Sequence, residues 1–225
     1  MSRQTNCPFY EKCNHIDCDG FCLKRFKLSY YLDNAFIPEN RRKRIKLFID
    51  DDNSDLEAFT KLNEIDNNIV SFADEGKNLF IYSQNTGNGK SSWCFRMCLT
   101  YIGRTWSHKS LYPIVMFISV PRFLIELKQN INERSPYVES ILKNATKADL
   151  VIWDDVGSKN GTEFEVSNML SIIDQRLADN KANIYTSNLC GEDLHTALGD
   201  RLYSRIYNNS DCIELKGKDK RGIKL

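Results

Sequence analysis

Residues 85–92 read Asn-Thr-Gly-Asn-Gly-Lys-Ser-Ser and follow directly on an apolar stretch, Asn78 to Ser83. Gly87 and Gly89 give the backbone freedom to turn its N–H groups inward; a cation, Lys90, and a hydroxyl, Ser91, come next. This combination suits an oligophosphate. The loop N–H groups and a helix N-terminus meet the oxygens, the lysine neutralises the outer phosphates, and the serine hydroxyl ligates Mg²⁺. In the pattern G-x-x-x-x-G-K-[ST], however, Gln84 stands where the first glycine belongs. The tripeptide Gly-Lys-Ser is weak by itself, since a solvated Asn/Gly turn entering a helix reads the same way.

Three further groups of residues strengthen the phosphate reading. Asp154 and Asp155 end the apolar run Asp-Leu-Val-Ile-Trp, a placement that lets one carboxylate hold Mg²⁺ and the other orient an attacking water. Asn188 ends Thr-Ser-Asn at the close of another apolar run, where it can hydrogen-bond a terminal phosphate or the lytic water. Arg201 and Arg205 lie four apart and share a helix face. Either can be presented to the nucleotide of a neighbouring subunit as an arginine finger. Each feature has a plainer reading: capping turns for the aspartates and the asparagine, solvated cations for the arginines.

The elements that must position these residues alternate in type. Short apolar runs (78–83, 113–120, 149–155, 182–188, 211–216) are separated by helical patterns at 90–106, 121–132, 163–180 and 192–209. This alternation predicts an α/β fold, a parallel five-stranded sheet with helices on both faces. Before it, Leu56, Phe59, Leu62, Ile65, Ile69 and Phe72 recur three or four apart, predicting one amphipathic helix capped by Ser54 or Asp55. A charged connector, with the basic run Arg41–Lys46 passing into Asp50–Asp52, precedes that helix. The basic run suits either DNA phosphates or a solvated helix start.

With 31 Lys+Arg against 30 Asp+Glu, whole-molecule charge selects no partner. The chain lacks an apolar run of the roughly 18 residues that span a bilayer, and its first residues lack a secretory apolar core. A cytoplasmic location without membrane contact is expected, where thiols stay reduced. Cys7, Cys13, Cys18 and Cys22, spaced C-x5-C-x4-C-x3-C, then suit tetrahedral Zn²⁺ rather than disulfides. The alternatives are a site in which His15 replaces one thiolate, and thiols that are metal-free or redox-active. Cys94, Cys98, Cys190 and Cys212 read as small buried hydrophobes. Residues 1–50 are expected to form an N-terminal module with its connector, and residues 51–225 the main domain.

In order, Asn-Leu-Phe-Ile-Tyr-Ser-Gln-Asn-Thr-Gly-Asn-Gly-Lys-Ser-Ser, the Asp-Asp-Val-Gly box with its following helix to Asp-Gln-Arg, Asn-Ile-Tyr-Thr-Ser-Asn-Leu and Leu-Gly-Asp-Arg-Leu-Tyr-Ser-Arg-Ile resemble bacterial and phage replicative-helicase loaders of the DnaC/DnaI type. These are AAA+ ATPases, and the related transposition helpers of the IstB type share the boxes. The resemblance spans about residues 37–221. It implies an AAA+ P-loop core without a full C-terminal lid. Asn85, Thr86, Gly87, Asn88, Gly89, Lys90, Ser91 and Ser92 would be the phosphate loop; Asp154 and Asp155 the Walker B pair; Asn188 sensor 1; Arg205, ahead of Arg201, the arginine finger; and Arg221 sensor 2. It further implies ATP and Mg²⁺ as ligands, self-association through the ATP site, single-stranded DNA, and a hexameric replicative helicase docked by the N-terminal module.

Phe9, Phe21, Phe26, Tyr30 and Tyr31 are then either the docking face or the small core around the metal. Lys143 and Lys147 fall where loaders carry a helix bearing on DNA and assembly. Asp155, shorter than the glutamate common in AAA+ enzymes, predicts slow, switch-like hydrolysis. Two other functions fit the residues: a transposition helper ATPase acting on duplex DNA, and a zinc-dependent adaptor whose Gln84-altered loop no longer hydrolyses.

Overall fold

Apolar residues on successive positions of the strands point to opposite faces, and both faces are buried. The computed structural model describes residues 22–42, 45, 47–49, 53–105, 112–158 and 161–220. Strands β1 (Asn78–Tyr82), β2 (Val115–Ser119), β3 (Leu150–Asp154), β4 (Ala182–Ser187) and β5 (Asp211–Glu214) form one sheet in the order β2-β3-β4-β1-β5. Every pairing is parallel. Leu79, Ile81, Val115, Phe117, Leu150, Ile152 and Ile184 face one core, while Phe80, Met116, Ile118, Val151, Trp153 and Tyr185 face another. Helices cover both faces, as the unbroken apolar runs require of a doubly buried parallel sheet.

The first core is closed by α1 (Leu23–Asn34), α2 (Leu56–Asn67), α3 (Ile69–Asp74) and α4 (Lys90–Thr105). The second is closed by α5 (Val120–Gln129), α6 (Pro136–Asn144), α7 (Glu163–Ala178) and α8 (Gly191–Ile206). Among the described residues no helix is long and apolar enough to cross a membrane.

Several local expectations are corrected. The helix expected over residues 56–72 is two, because Asn68 leaves helical geometry (φ −115°, ψ 23°) between α2 and α3. Asp55 holds the N-cap position of α2, yet its side chain makes no cap bond. It instead accepts the N–H groups of Lys216 (2.6 Å) and Gly217 (2.9 Å), pinning the chain after β5 to the start of α2. Cys94 and Cys98 are buried as expected, but Cys190 is half-buried and Cys212 exposed. Tyr31 belongs neither to a metal-bound core nor to an exposed face: it is fully buried, with Ala35 and Ile37, in the first core of the sheet. Phe26 is 72% exposed. Cys7, Cys13, Cys18, His15, Phe9, Phe21 and Arg221 lie outside the described residues.

A buried arginine ties the end of the sheet remote from the carboxyl edge. Arg176, the last residue of the Asp-Gln-Arg box, donates from Nε to Asn183 Oδ1 (2.7 Å) and from its two terminal nitrogens to the carbonyls of Ala145, Ala148 and Ala182. Burial lowers its pKa to about 10, so it stays charged at neutral pH. Its role is to join α6, β3, α7 and β4.

Candidate nucleotide-binding site

The strand order decides what meets at the carboxyl edge. Because β4 lies between β1 and β3, the loop after β1, the aspartates after β3 and the polar end of β4 are neighbours. The loop turns at Gly87 (φ 72°) and Gly89 (φ 107°), both in the left-handed region open to glycine. Gln84 is not among the residues with positive φ. The glycine that the motif lacks there is thus not needed by this loop's conformation. The Gln84 side chain is exposed and approaches Cys190 Sγ at 4.0 Å.

Lys90 opens α4 and is buried; its Nζ donates to Asn85 O (2.9 Å) and Asn88 Oδ1 (3.2 Å). Asn88 Nδ2 in turn donates to Ser83 Oγ (2.5 Å) and to Leu215 O (3.1 Å), and Asn85 Nδ2 to Lys216 O (3.1 Å). The segment after β5 therefore braces the loop from behind. Its Lys220 N–H also reaches Gly87 O at 3.0 Å.

Across the edge, Ser91 Oγ donates to Asp154 Oδ1 at 2.9 Å, and Thr186 Oγ1 donates to the same oxygen at 2.7 Å. Thr186 Oγ1 also accepts the N–H of Asp155 at 2.8 Å. Asp155 adopts φ 65°, an uncommon conformation for a residue with a side chain. Asn188 Nδ2 donates to Asp155 Oδ1 at 2.9 Å. Burial pushes the Asp154 carboxyl above the ordinary carboxylate range, against the hydrogen bonds from Thr186 and Ser91 that favour its charged form. A half-buried carboxylate beside a serine hydroxyl is a donor set suited to a hard divalent cation, which would favour its ionised form.

Gly87, Asn88, Gly89, Lys90, Ser91, Ser92, Asp154, Asp155 and Asn188 line one cavity of about 320 Å³. Of the other expected loop residues, Asn85 braces the loop from behind and Thr86 is exposed outside the cavity. Arg205 does not reach this cavity: it pairs with Asp174 of α7 at 2.6 Å, both side chains being partly exposed. Arg201 is exposed on the same helix and forms no ion pair among the described residues. Lys143 and Lys147 are exposed as well, Lys147 lying 4.3 Å over the Tyr112 ring.

Sequence reasoning missed two parts of this edge. Thr186 sits in the quoted Thr-Ser-Asn, but its two hydrogen bonds, one to Asp154 and one from Asp155, depend on β4 lying beside β3. A second cavity, of about 250 Å³, adjoins the first at Gly87–Gly89 and has apolar walls from Leu47, Phe48, Phe59, Trp93 and Leu215. Phe59 and Trp93 meet edge to face at 5.0 Å. These residues are scattered in sequence, and only the amphipathic pattern at Phe59 hinted at a buried face.

A parallel sheet of this order, with a phosphate-type loop after β1, paired aspartates after β3 and a polar strand end between them, defines a P-loop protein of the AAA+ type. More narrowly, residues 54–222 match the family described as "IstB-like ATP binding protein", and the chain belongs to that family. Among curated proteins it is similar to the replicative helicase loader DnaC of Escherichia coli K12, 24% identical over 143 residues, 64% of this chain and 52% of that protein. The chain thus spans about half the length of the curated relatives it matches. Its fold is shared by the crystal structure of the DnaC helicase loader (TM-score 0.58, 21% identity, covering 72% of this chain and 90% of that one). It is shared equally by the structure of DnaI (TM-score 0.61, 19% identity, covering 83% and 95%).

Proposed function

We propose that this protein is an ATP-dependent loader of a replicative DNA helicase. The observation that carries the ATP reading is the convergence of Lys90, Ser91, Asp154, Asp155 and Asn188 on one cavity, with Ser91 Oγ only 2.9 Å from Asp154. The apolar cavity next to it takes the base, and Gly87–Gly89 lie between base and phosphates. Lys90 leaves its loop carbonyls for the outer phosphate oxygens. Ser91 and Asp154 would hold Mg²⁺, which would neutralise phosphate charge there. Asp155, fixed by Asn188, orients or polarises the attacking water. Its short reach and its existing hydrogen bond favour slow turnover, so that the bound state, more than the flux, carries the signal.

Arg205 or Arg201 completes the site of a neighbouring copy, since neither reaches its own cavity. The likeness to the replicative helicase loader DnaC supports a replicative helicase, here a hexameric one, as partner, with single-stranded DNA near Lys143 and Lys147 and docking through residues 1–50. Cys7, Cys13, Cys18 and Cys22 supply a zinc site there. The Cys22 sulfur already accepts the Arg25 N–H at 3.3 Å, a bond that a metal-bound thiolate also accepts.

The IstB-like family match supports a second reading, a transposition helper acting on duplex DNA. Binding of fluorescent ATP, followed by capture of the host's replicative helicase with and without nucleotide, tests the first reading. Helicase should be captured by the wild type with ATP and not by Lys90→Ala. ATP binding without helicase capture in any nucleotide state would sink the loader and leave the helper.

A further inference from the structure

The two cavities share a rim, and on it sits a cation that phosphate-loop motifs do not include. Arg41 ends the 3₁₀ turn Glu39–Arg41 and lines both the polar and the apolar cavity. Among the described residues it forms no ion pair; its guanidinium lies 5.9 Å over the Phe95 ring. Its neighbour Arg42 is fully engaged, bonding Asp33 Oδ1 at 2.6 Å and Ile37 O at 2.9 Å. A guanidinium on the shared rim of the two cavities, beside Gly87–Gly89 where base and phosphates would join, matches the inner phosphate oxygens in charge and in donor geometry.

The same turn is linked to the end of α1 by the Arg42–Asp33 pair, and the residues between them are anchored to β2 and α6. Phe117 of β2 donates its N–H to Ala35 O at 2.8 Å, and the Phe36 ring packs on Tyr137 at 4.7 Å. Ile37 and Tyr31 are buried, and the Arg42–Asp33 pair bridges the turn back to the last part of the helix. A pull on Arg41 is therefore a pull on the C-terminal half of α1, whose N-terminal end leads back to Cys22.

We propose that Arg41 contacts the inner phosphates of the bound nucleotide in its own chain and reports occupancy of the site to α1. This rests on the ATP reading above. It makes the connector a signalling element between the nucleotide and the N-terminal module.

The test uses the full chain with fluorescent ADP and ATP, plus amide hydrogen exchange over α1, for wild type, Arg41→Ala, Arg41→Lys and Lys90→Ala. Arg41 is exposed, so its variants should melt with the wild type. Arg41→Ala should weaken ADP and ATP alike, by about tenfold, and Arg41→Lys by less. At saturating nucleotide the wild type should gain protection in α1, and Arg41→Ala should not. Wild-type binding that Lys90→Ala abolishes and Arg41→Ala leaves within twofold overturns this proposal alone. So does a gain of α1 protection in saturated Arg41→Ala equal to that of the wild type, or no gain in the saturated wild type. A wild type that binds neither nucleotide refutes the ATP reading itself, and the proposal with it.

Discussion

Thr186→Val tests whether one hydroxyl holds the carboxyl edge together. The residue is 2% exposed, and valine keeps its shape while removing the oxygen. Two interactions vanish: the bond to the Asp154 carboxylate at 2.7 Å and the bond from the Asp155 N–H at 2.8 Å. A hydrogen bond to a charged group contributes about 1.5–3 kcal/mol, and an orphaned buried N–H costs about 1–3 kcal/mol. Asp154 keeps Ser91 as a donor, and Asp155 is half-buried and can turn toward water. The lower end of each range therefore applies, giving a loss of about 2–3 kcal/mol. Thr186→Ser keeps the oxygen and deletes one methyl, for about 1 kcal/mol. Urea unfolding of the nucleotide-free protein measures both. With Asp155 released from its left-handed conformation, Thr186→Val should also lose ATP hydrolysis while binding ATP within a fewfold of wild type. If Thr186→Val is as stable as Thr186→Ser and hydrolyses as fast, the hydroxyl does not organise this edge and the reasoning is wrong.

Arg176→Met removes the donor shared by Ala145, Ala148, Ala182 and Asn183, and should cost about 3–5 kcal/mol in urea unfolding. Lys181→Ala, which breaks the partly exposed pair with Asp149, should cost under about 1 kcal/mol by the same measurement. For the arginines, Arg201→Ala and Arg205→Ala should be made singly, and the one that supplies the finger should lower turnover by about 10³-fold. Mixing that variant with inactive Lys90→Ala should restore turnover, because hybrid interfaces pair an intact loop with an intact arginine. Metal analysis should find about one zinc per chain, lost in Cys22→Ser. Because serine caps a helix at least as well as cysteine, the helicity of α1 should survive that change, separating the metal from the cap.

The strands were legible because a doubly buried parallel strand must be apolar at every position, and the runs around Phe80, Phe117, Ile152 and Ile184 have no other use for that composition. The break at Asn68 was not, since no glycine or proline marks it and the apolar spacing runs through it unchanged. Asp55 looked like a helix cap because it precedes an amphipathic run; its real partners, Lys216 and Gly217, lie 161 and 162 residues away. Cys190 and Cys212 were misjudged for a related reason. Cysteine is usually buried, but Cys190 holds the N-cap position of α8 beyond the carboxyl end of β4, and Cys212 lies on an exposed position of the outermost strand β5.

Within the site, what could be read was what is contiguous: glycines, lysine and serine on one loop, two aspartates at one strand end, an asparagine at another. Each motif implied a chemistry, but none implied which strand ends are adjacent. That depends on β4 lying between β1 and β3, and the residues that escaped sequence reading are those whose role exists only through placement. Thr186 is an ordinary strand threonine until β3 brings Asp154 and Asp155 to it. Arg41 is one cation in a basic run until the 3₁₀ turn, anchored through Ala35 to β2, carries it over the loop after β1. Phe48, Phe59, Trp93 and Leu215 come from four separate segments and make a wall only once α2 packs on α4 and the chain after β5 passes beside them. Arg42 has Asp33 and the Ile37 carbonyl within reach, whereas Arg41 lies over the Phe95 ring. That difference in partners, invisible in the sequence Arg-Arg, makes one arginine a structural tie and places the other on the rim shared by the two cavities.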